Sequence, residues 1–302
     1  MKWLELSLIA PSEYVEPLSA MFERYGYGGV AEEIQGGYNP DEGQEAPNNP
    51  DVLLRSYLPI DNTTETRKQH IQIGIALISS LCNLSPLNER ILEDNEWMDF
   101  WKNHFSLLRI GSVVIRPSWI EYIQTGNEIV IELDPGMAFG TGHHPTTKMC
   151  IKEIEKNIKP GYSVLDIGTG SGILSIVAAK LGAASVLGID IDQNAIKSAS
   201  KNVTNNALED KIKLIHGSIT DTDTTIKYDL IVANMYTKVI MDIAHPLLNK
   251  LMPDGKFILS GIMKEKSKDV QKLFEMKNVR LNHQQVEGDW AVLVGTKKGA
   301  FD

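Results

Sequence analysis

The stretch Val164-Leu-Asp-Ile-Gly-Thr-Gly-Ser-Gly-Ile-Leu-Ser-Ile-Val-Ala-Ala-Lys-Leu-Gly182 constrains this chain more than any other. An apolar run ends in Asp166, glycines follow at alternate positions (Gly168, Gly170, Gly172), and an apolar helical pattern begins at once. The pattern predicts a strand, a tight glycine turn and a helix. Without Cβ atoms the turn lets backbone approach a ligand, and the helix's first unpaired N–H groups point toward it. The dinucleotide fingerprint G-x-G-x-x-G needs its third glycine five residues after the first, whereas here it comes after four. No Lys-Ser/Thr pair closes the loop, which excludes a P-loop.

D-x-G-x-G-x-G resembles the first motif of class I S-adenosylmethionine-dependent methyltransferases, and this implies cofactor contacts at Asp166, Gly168 and Gly170. The next apolar run, Ser185–Asp190, ends in an acid 22 residues after Gly168. A carboxylate there can accept both hydroxyls of a ribose and would repel a 2′-phosphate. A third run, Tyr228–Asn234, ends in an amide whose oxygen, with the carbonyls that follow, can accept hydrogen bonds from an amine and aim its lone pair. The simpler role for Asn234 is a cap on the next helix, and for Asp190 a solvated strand end.

Asp134-Pro-Gly-Met-Ala-Phe-Gly-Thr-Gly-His-His-Pro-Thr-Thr147 precedes a helix expected from about Thr146 to Ile158. It reads as a loop able to fold over a ligand, with Phe139 as an apolar lid and threonine hydroxyls available to ligand or helix N–H groups. His143 and His144 are neighbours with no nearby acid or cysteine to complete a metal site, so no metal is expected.

Strands alternate with helices throughout residues 134–302, which predicts a parallel sheet with helices on both faces. Helices are expected at about Asn194–Asn206, Val239–Leu251 and Glu265–Met276, and further strands at Ile212–His216 and Lys256–Gly261. The last two strands, Val279–Val286 and Trp290–Thr296, are joined by a short turn and must pair antiparallel.

The front third reads β-α-β-β-α-β: Trp3–Ile9, a helix over Pro11–Tyr25, Val30–Gln35, Val52–Ile60, a helix over Thr63–Leu81 with Ile71, Ile75, Leu77, Ile78 and Leu81 inward, and Leu87–Leu92. This order predicts a small α+β ferredoxin-like domain over residues 1–93, suited to recognition rather than chemistry. Gly36–Pro50 is an acidic, turn-rich loop with nothing to bury. Residues 94–133 are expected to link the two domains, as an aromatic-striped helix Asn95–Phe105 followed by strands at Leu107–Trp119 and Glu128–Leu133 forming a hairpin.

Charge separates the parts. The chain carries a net −9, yet residues 1–105 hold 7 Lys/Arg against 17 Asp/Glu, while the remainder is nearly balanced. An acidic front domain disfavours direct nucleic-acid binding, which needs a basic face, and favours a basic protein partner. No apolar run approaches the roughly 18 residues of a membrane span, the start reads as a strand rather than a signal peptide, and two distant cysteines suit a reducing cytoplasm.

Together, Asp134–Thr147, Asp166–Gly172, Gly188-Ile-Asp-Ile-Asp192 and Val232-Ala-Asn234, with Glu96-Trp-Met-Asp99 and Pro117-Ser-Trp119, resemble the ribosomal protein L-eleven methyltransferase family over nearly the whole chain. The resemblance implies a seven-stranded Rossmann-like class I methyltransferase domain and cofactor contacts at Thr147, Gly168, Asp190 and Asn234. It also implies a mobile N-terminal recognition domain in a cytoplasmic bacterial enzyme. The expected reaction moves methyl groups from S-adenosyl-L-methionine to lysine side chains and the N-terminal α-amine of ribosomal protein L-eleven, without nucleic-acid or membrane contact. Other readings are a protein-lysine methyltransferase with another target, a nucleic-acid base methyltransferase and a binding module without catalysis. The family commonly reads Asn-Ile-Leu-Ala where this chain has Asn234-Met-Tyr-Thr237, a departure that bears on the amine pocket. No residue stands out as a general base.

Overall fold

Alternating apolar residues in the front third and continuous apolar runs further on make strands, and those strands form three sheets in the computed structural model, which describes residues 2–35, 50–93, 107–133, 142, 144–223, 225–277 and 279–298. The chain divides into two compact units, Met1–Phe105 and Ser106–Asp302.

In the first unit, β1 (Lys2–Pro11), β2 (Tyr27–Ile34), β3 (Asp51–Pro59) and β4 (Asn88–Glu93) form an antiparallel sheet of order β2-β3-β1-β4. Helices α1 (Val15–Tyr25) and α2 (Thr64–Ser79) pack on it. Leu4, Leu6 and Leu8 of β1 close a core with Leu18 and Phe22 of α1, Leu54 of β3 and Ile71 of α2. Ile75 and Ile78 pack against that core, but Leu77 and Leu81, expected inward, are 67% and 72% exposed. Helix geometry explains both. At roughly 100° per residue Leu77 lies about 120° from the Ile71 direction, and α2 ends before Leu81.

The second unit holds a small sheet and a large one. Leu107–Trp119, expected as one strand, breaks at Gly111 (φ +58°) into a hairpin of β5 (Leu108–Ile110) and β6 (Val113–Arg116). The following strand, β7 (Ile129–Glu132), runs parallel to β6 rather than returning antiparallel, because residues 117–128 are long enough to cross over. These strands were expected within a linker, but Ile110, Val113, Ile115, Ile131 and Leu133 belong to the core of the second unit.

The large sheet comprises β8 (Ser163–Ile167), β9 (Ser185–Asp190), β10 (Ile212–His216), β11 (Tyr228–Asn234), β12 (Leu251–Met263), β13 (Val279–Glu287) and β14 (Trp290–Lys297), in the order β10-β9-β8-β11-β12-β14-β13. β8 to β12 run parallel, and β14 is antiparallel to both neighbours. The helices are α3 (Pro145–Asn157), α4 (Ile173–Lys180), α5 (Gln193–Asn205), α6 (Thr237–Lys250) and α7 (Ser267–Glu275). Alternation divides the sheet's side chains between two cores. Val164, Val232 and Ile258 face α3 and α4, whereas Leu165, Ile231 and Leu259 face α6 and α7. After β8 the chain builds outward through β9 and β10, then returns to β8's other side as β11. This reversal opens a crevice at the carboxyl ends of β8 and β11, where open α/β sheets bind ligands.

Candidate active site

The glycine turn leaves β8 at that crevice. Gly168, Gly170 and Gly172 all have positive φ (+72°, +55° and +82°), which explains why glycine recurs at every second position. Gly172 is the N-cap residue of α4, so the turn runs directly into a helix N-terminus. Neighbouring elements brace it: the backbone N–H groups of Gly168 and Thr169 donate to the Ile189 carbonyl at 2.9 and 3.0 Å, and Asn202 Nδ2 of α5 donates to the Ser171 carbonyl at 2.8 Å.

Asp166 is 1% exposed at the base of the turn. Its Oδ2 accepts from Thr169 Oγ1 (2.7 Å), Ser175 N (3.1 Å) and Ser175 Oγ (2.6 Å), while the buried Oδ1 has no partner. Burial pushes the carboxyl up to about 6, against the opposing pull of the Ser175 and Thr169 donors. The folded protein therefore holds this proton more tightly than the unfolded chain. The contribution of Asp166 to stability is most favourable below about pH 4 and is lost as pH rises through about 6, a swing of about 3 kcal/mol. Comparing Asp166→Asn with the parent in urea at pH 4 and pH 7, the difference should move by about 2–3 kcal/mol in the variant's favour at the higher pH. Parallel pH profiles would remove the buried ionisation.

Asp190 closes β9, half-buried rather than simply solvated. Oδ2 accepts from Gly170 N and Oδ1 from Asp192 N, each at 2.9 Å, so this acid holds the glycine turn in place. A carboxylate has about four acceptor positions, leaving capacity for hydroxyl donors. Beside it Ile191 is 78% exposed, its backbone fixed by a contact from His216 Nε2 to the Ile191 carbonyl at 3.0 Å. Sequence reasoning missed Ile191. The available signal was an isoleucine between two acids just past a strand end, where no core can receive it.

Asn234 ends β11, and its Nδ2 donates to Oγ1 of the buried Thr147 on α3 at 3.3 Å. Two expected site residues, 87 positions apart, are thus brought together. The bond uses one of the amide's two N–H donors and leaves Oδ1 as an acceptor. Asn234 does not cap α6, whose N-cap residue is Tyr236. Neither does a threonine cap α3. His144 occupies that position, with Nδ1 accepting from Thr146 N at 3.3 Å and Pro145 following. The half-buried His144 ring stands edge-on to Trp290 at 5.2 Å, and its pKa is lowered by burial and then by Lys148. These contacts describe a capping residue rather than a general base. Phe139, His143 and most of the expected lid loop lie outside the described residues, as do the Asn95–Phe105 helix and nearly all of Gly36–Pro50. Among the described residues no three His, Cys, Asp or Glu side chains gather as a metal site, and no helix is long and apolar enough to cross a membrane.

A family profile described as Ribosomal protein L11 methyltransferase (PrmA) matches residues 2–298. A protein of Chloroflexus aurantiacus named Ribosomal protein L11 methyltransferase is 38% identical over 319 residues, covering 97% of each chain. Its namesake in Alkaliphilus metalliredigens is 36% identical over 317 residues, covering all of both. A crystal structure of ribosomal protein L11 methylase from Lactobacillus delbrueckii subsp. bulgaricus superposes with a TM-score of 0.60 at 33% identity, covering 64% of this chain and 100% of that one.

Proposed function

The chain belongs to the ribosomal protein L11 methyltransferase family, and on that premise we propose that it transfers methyl groups from S-adenosylmethionine to amino groups of ribosomal protein L11. The observation that carries the reading is the convergence, at the carboxyl ends of β8 and β11, of a braced glycine turn with an amide acceptor on the adjacent strand.

The residues present fit the cofactor. The three positive-φ glycines bring bare backbone up to the α4 N-terminus, and a Cβ on Gly168 would crowd Met235 Cε at 2.7 Å while one on Gly172 would crowd Ala199 Cβ at 3.1 Å. Asp190 retains acceptor capacity for ribose hydroxyls, Ile191 presents apolar surface suited to a base, and the orphaned Asp166 Oδ1 suits an ammonium donor. When bound, S-adenosylmethionine supplies a methyl group on a sulfonium leaving group. Asn234 Oδ1 accepts a hydrogen bond from the target amine and points the nitrogen lone pair into the crevice, a proximity and orientation effect. The amine must enter neutral. A lysine with a pKa of roughly 10.4 is about four parts in ten thousand neutral at pH 7, so transfer out of water matters more for lysine than for an α-amine of roughly 7.7–8.0. No described side chain is placed as a base, and the proton leaves to water.

The first unit, with its acid excess and β2-β3-β1-β4 order, is read as a ferredoxin-like domain that recognises basic L11, and the Ser106–Asp302 unit as the class I methyltransferase domain. The same reading makes the protein cytoplasmic and its targets both lysine side chains and the N-terminal amine. Purified L11 incubated with this protein and S-adenosylmethionine should gain mass in steps of one methylene, and peptide mapping should place the gain on amines. No gain from a protein that binds the cofactor in calorimetry would discard L11 as substrate.

A further inference from the structure

Beyond Asn234 the backbone is closely held. Met235 N donates to the Ser260 carbonyl at 3.0 Å, and Gly261 (φ +78°) lies so close that an added Cβ would stand 2.4 Å from the Met235 carbonyl oxygen. Tyr236 then begins α6, its carbonyl accepting from Ile240 N at 3.1 Å. On this fixed backbone Tyr236 is 74% exposed. Among the described residues it takes no hydrogen bond, ring contact or cation. The adjoining Met235 side chain reaches over the glycine turn, its Cε 2.7 Å from where a Cβ on Gly168 would lie. An aromatic face thus stands two residues from the amide acceptor, on the segment that touches the cofactor cradle.

We propose that Tyr236 is a specificity-determining residue whose ring receives the alkylated ammonium of the target and favours successive methyl additions to one amine. The inference rests on the amine methylation proposed above. In each transfer the nitrogen lone pair forms a C–N bond as the C–S bond breaks, its electrons returning to sulfur to leave a neutral thioether. The nitrogen becomes cationic, and one of its protons must pass to water before the next transfer. Every methyl added also removes an N–H, so Asn234 Oδ1 loses its hold as methylation proceeds. A fully methylated ammonium offers it no N–H. Attraction between a cation and a ring face needs no N–H and gains from the added methyl surface. Tyr236 therefore counts most for the later methyl additions.

The test compares the parent with Tyr236→Phe, Tyr236→Leu and Tyr236→Ala on L11, following the mono-, di- and trimethyl distribution by mass spectrometry at matched consumption of cofactor. Calorimetry then measures each variant's affinity for unmodified L11 and for L11 exhaustively methylated by the parent. Tyr236→Phe should match the parent, whereas Leu and Ala should accumulate lower methyl states. Both should bind methylated L11 roughly two- to thirty-fold more weakly, with a smaller loss for unmodified L11, whose more strongly hydrated ammonium gains less from a ring face. Parental behaviour of Tyr236→Ala would overturn the proposal. Parental behaviour of Tyr236→Leu would do so too, because apolar area alone would then suffice. Failure of the parent to methylate L11 at all is a separate result that removes the assigned reaction and this role with it.

Discussion

Replacing Asn234 with alanine should lower kcat by about a hundredfold or more while weakening cofactor binding by less than about tenfold. Two losses combine in that expectation. The acceptor Oδ1, which aims the amine lone pair, disappears, and small misplacements of a reacting atom cost about a hundredfold. The Thr147 hydroxyl, buried on α3, also loses the 3.3 Å bond from Asn234 Nδ2, at a stability cost of about 1–3 kcal/mol. Steady-state kinetics with saturating L11 and cofactor measure the first effect, and thermal denaturation measures the second. Turnover at the parental rate with intact cofactor binding would end the alignment role of Asn234.

Gly168→Arg should weaken cofactor binding at least about a hundredfold, with turnover lost in proportion. At φ +72° a residue with a Cβ carries about 1–2 kcal/mol of backbone strain, and that Cβ would stand 2.7 Å from Met235 Cε. The long side chain must then leave through the cradle the ligand needs. The scaffold should survive, because the turn's braces come from the Ile189 carbonyl, Asp190 and Asn202 rather than from residue 168's side chain. Calorimetric titration with S-adenosylmethionine, beside a melting curve, separates the two effects. Near-parental affinity in a folded variant would mean that the turn does not form the cofactor site.

Much of this arrangement was legible because its signals are local. Apolar runs predicted β9, β10 and β11 at their observed bounds, since strands of a parallel sheet are covered on both faces. The glycine spacing reflects three positive-φ positions in one turn. Leu77 looked inward by composition, but its angular position, not its hydrophobicity, sets which way it faces.

The sequence alone determined the strand-turn-helix unit, the acids at the ends of β8 and β9, the amide at the end of β11 and the acidic front third, all properties of neighbouring residues. Tertiary structure alone decided that Asp190 braces Gly170, that Thr147 meets Asn234, that β7 runs parallel to β6 and that Asp166 keeps one buried oxygen without a partner. The reason is physical: local pattern governs backbone conformation. Hydrogen-bond partnership and burial depend on which distant segments pack together, and no spacing along the chain encodes that.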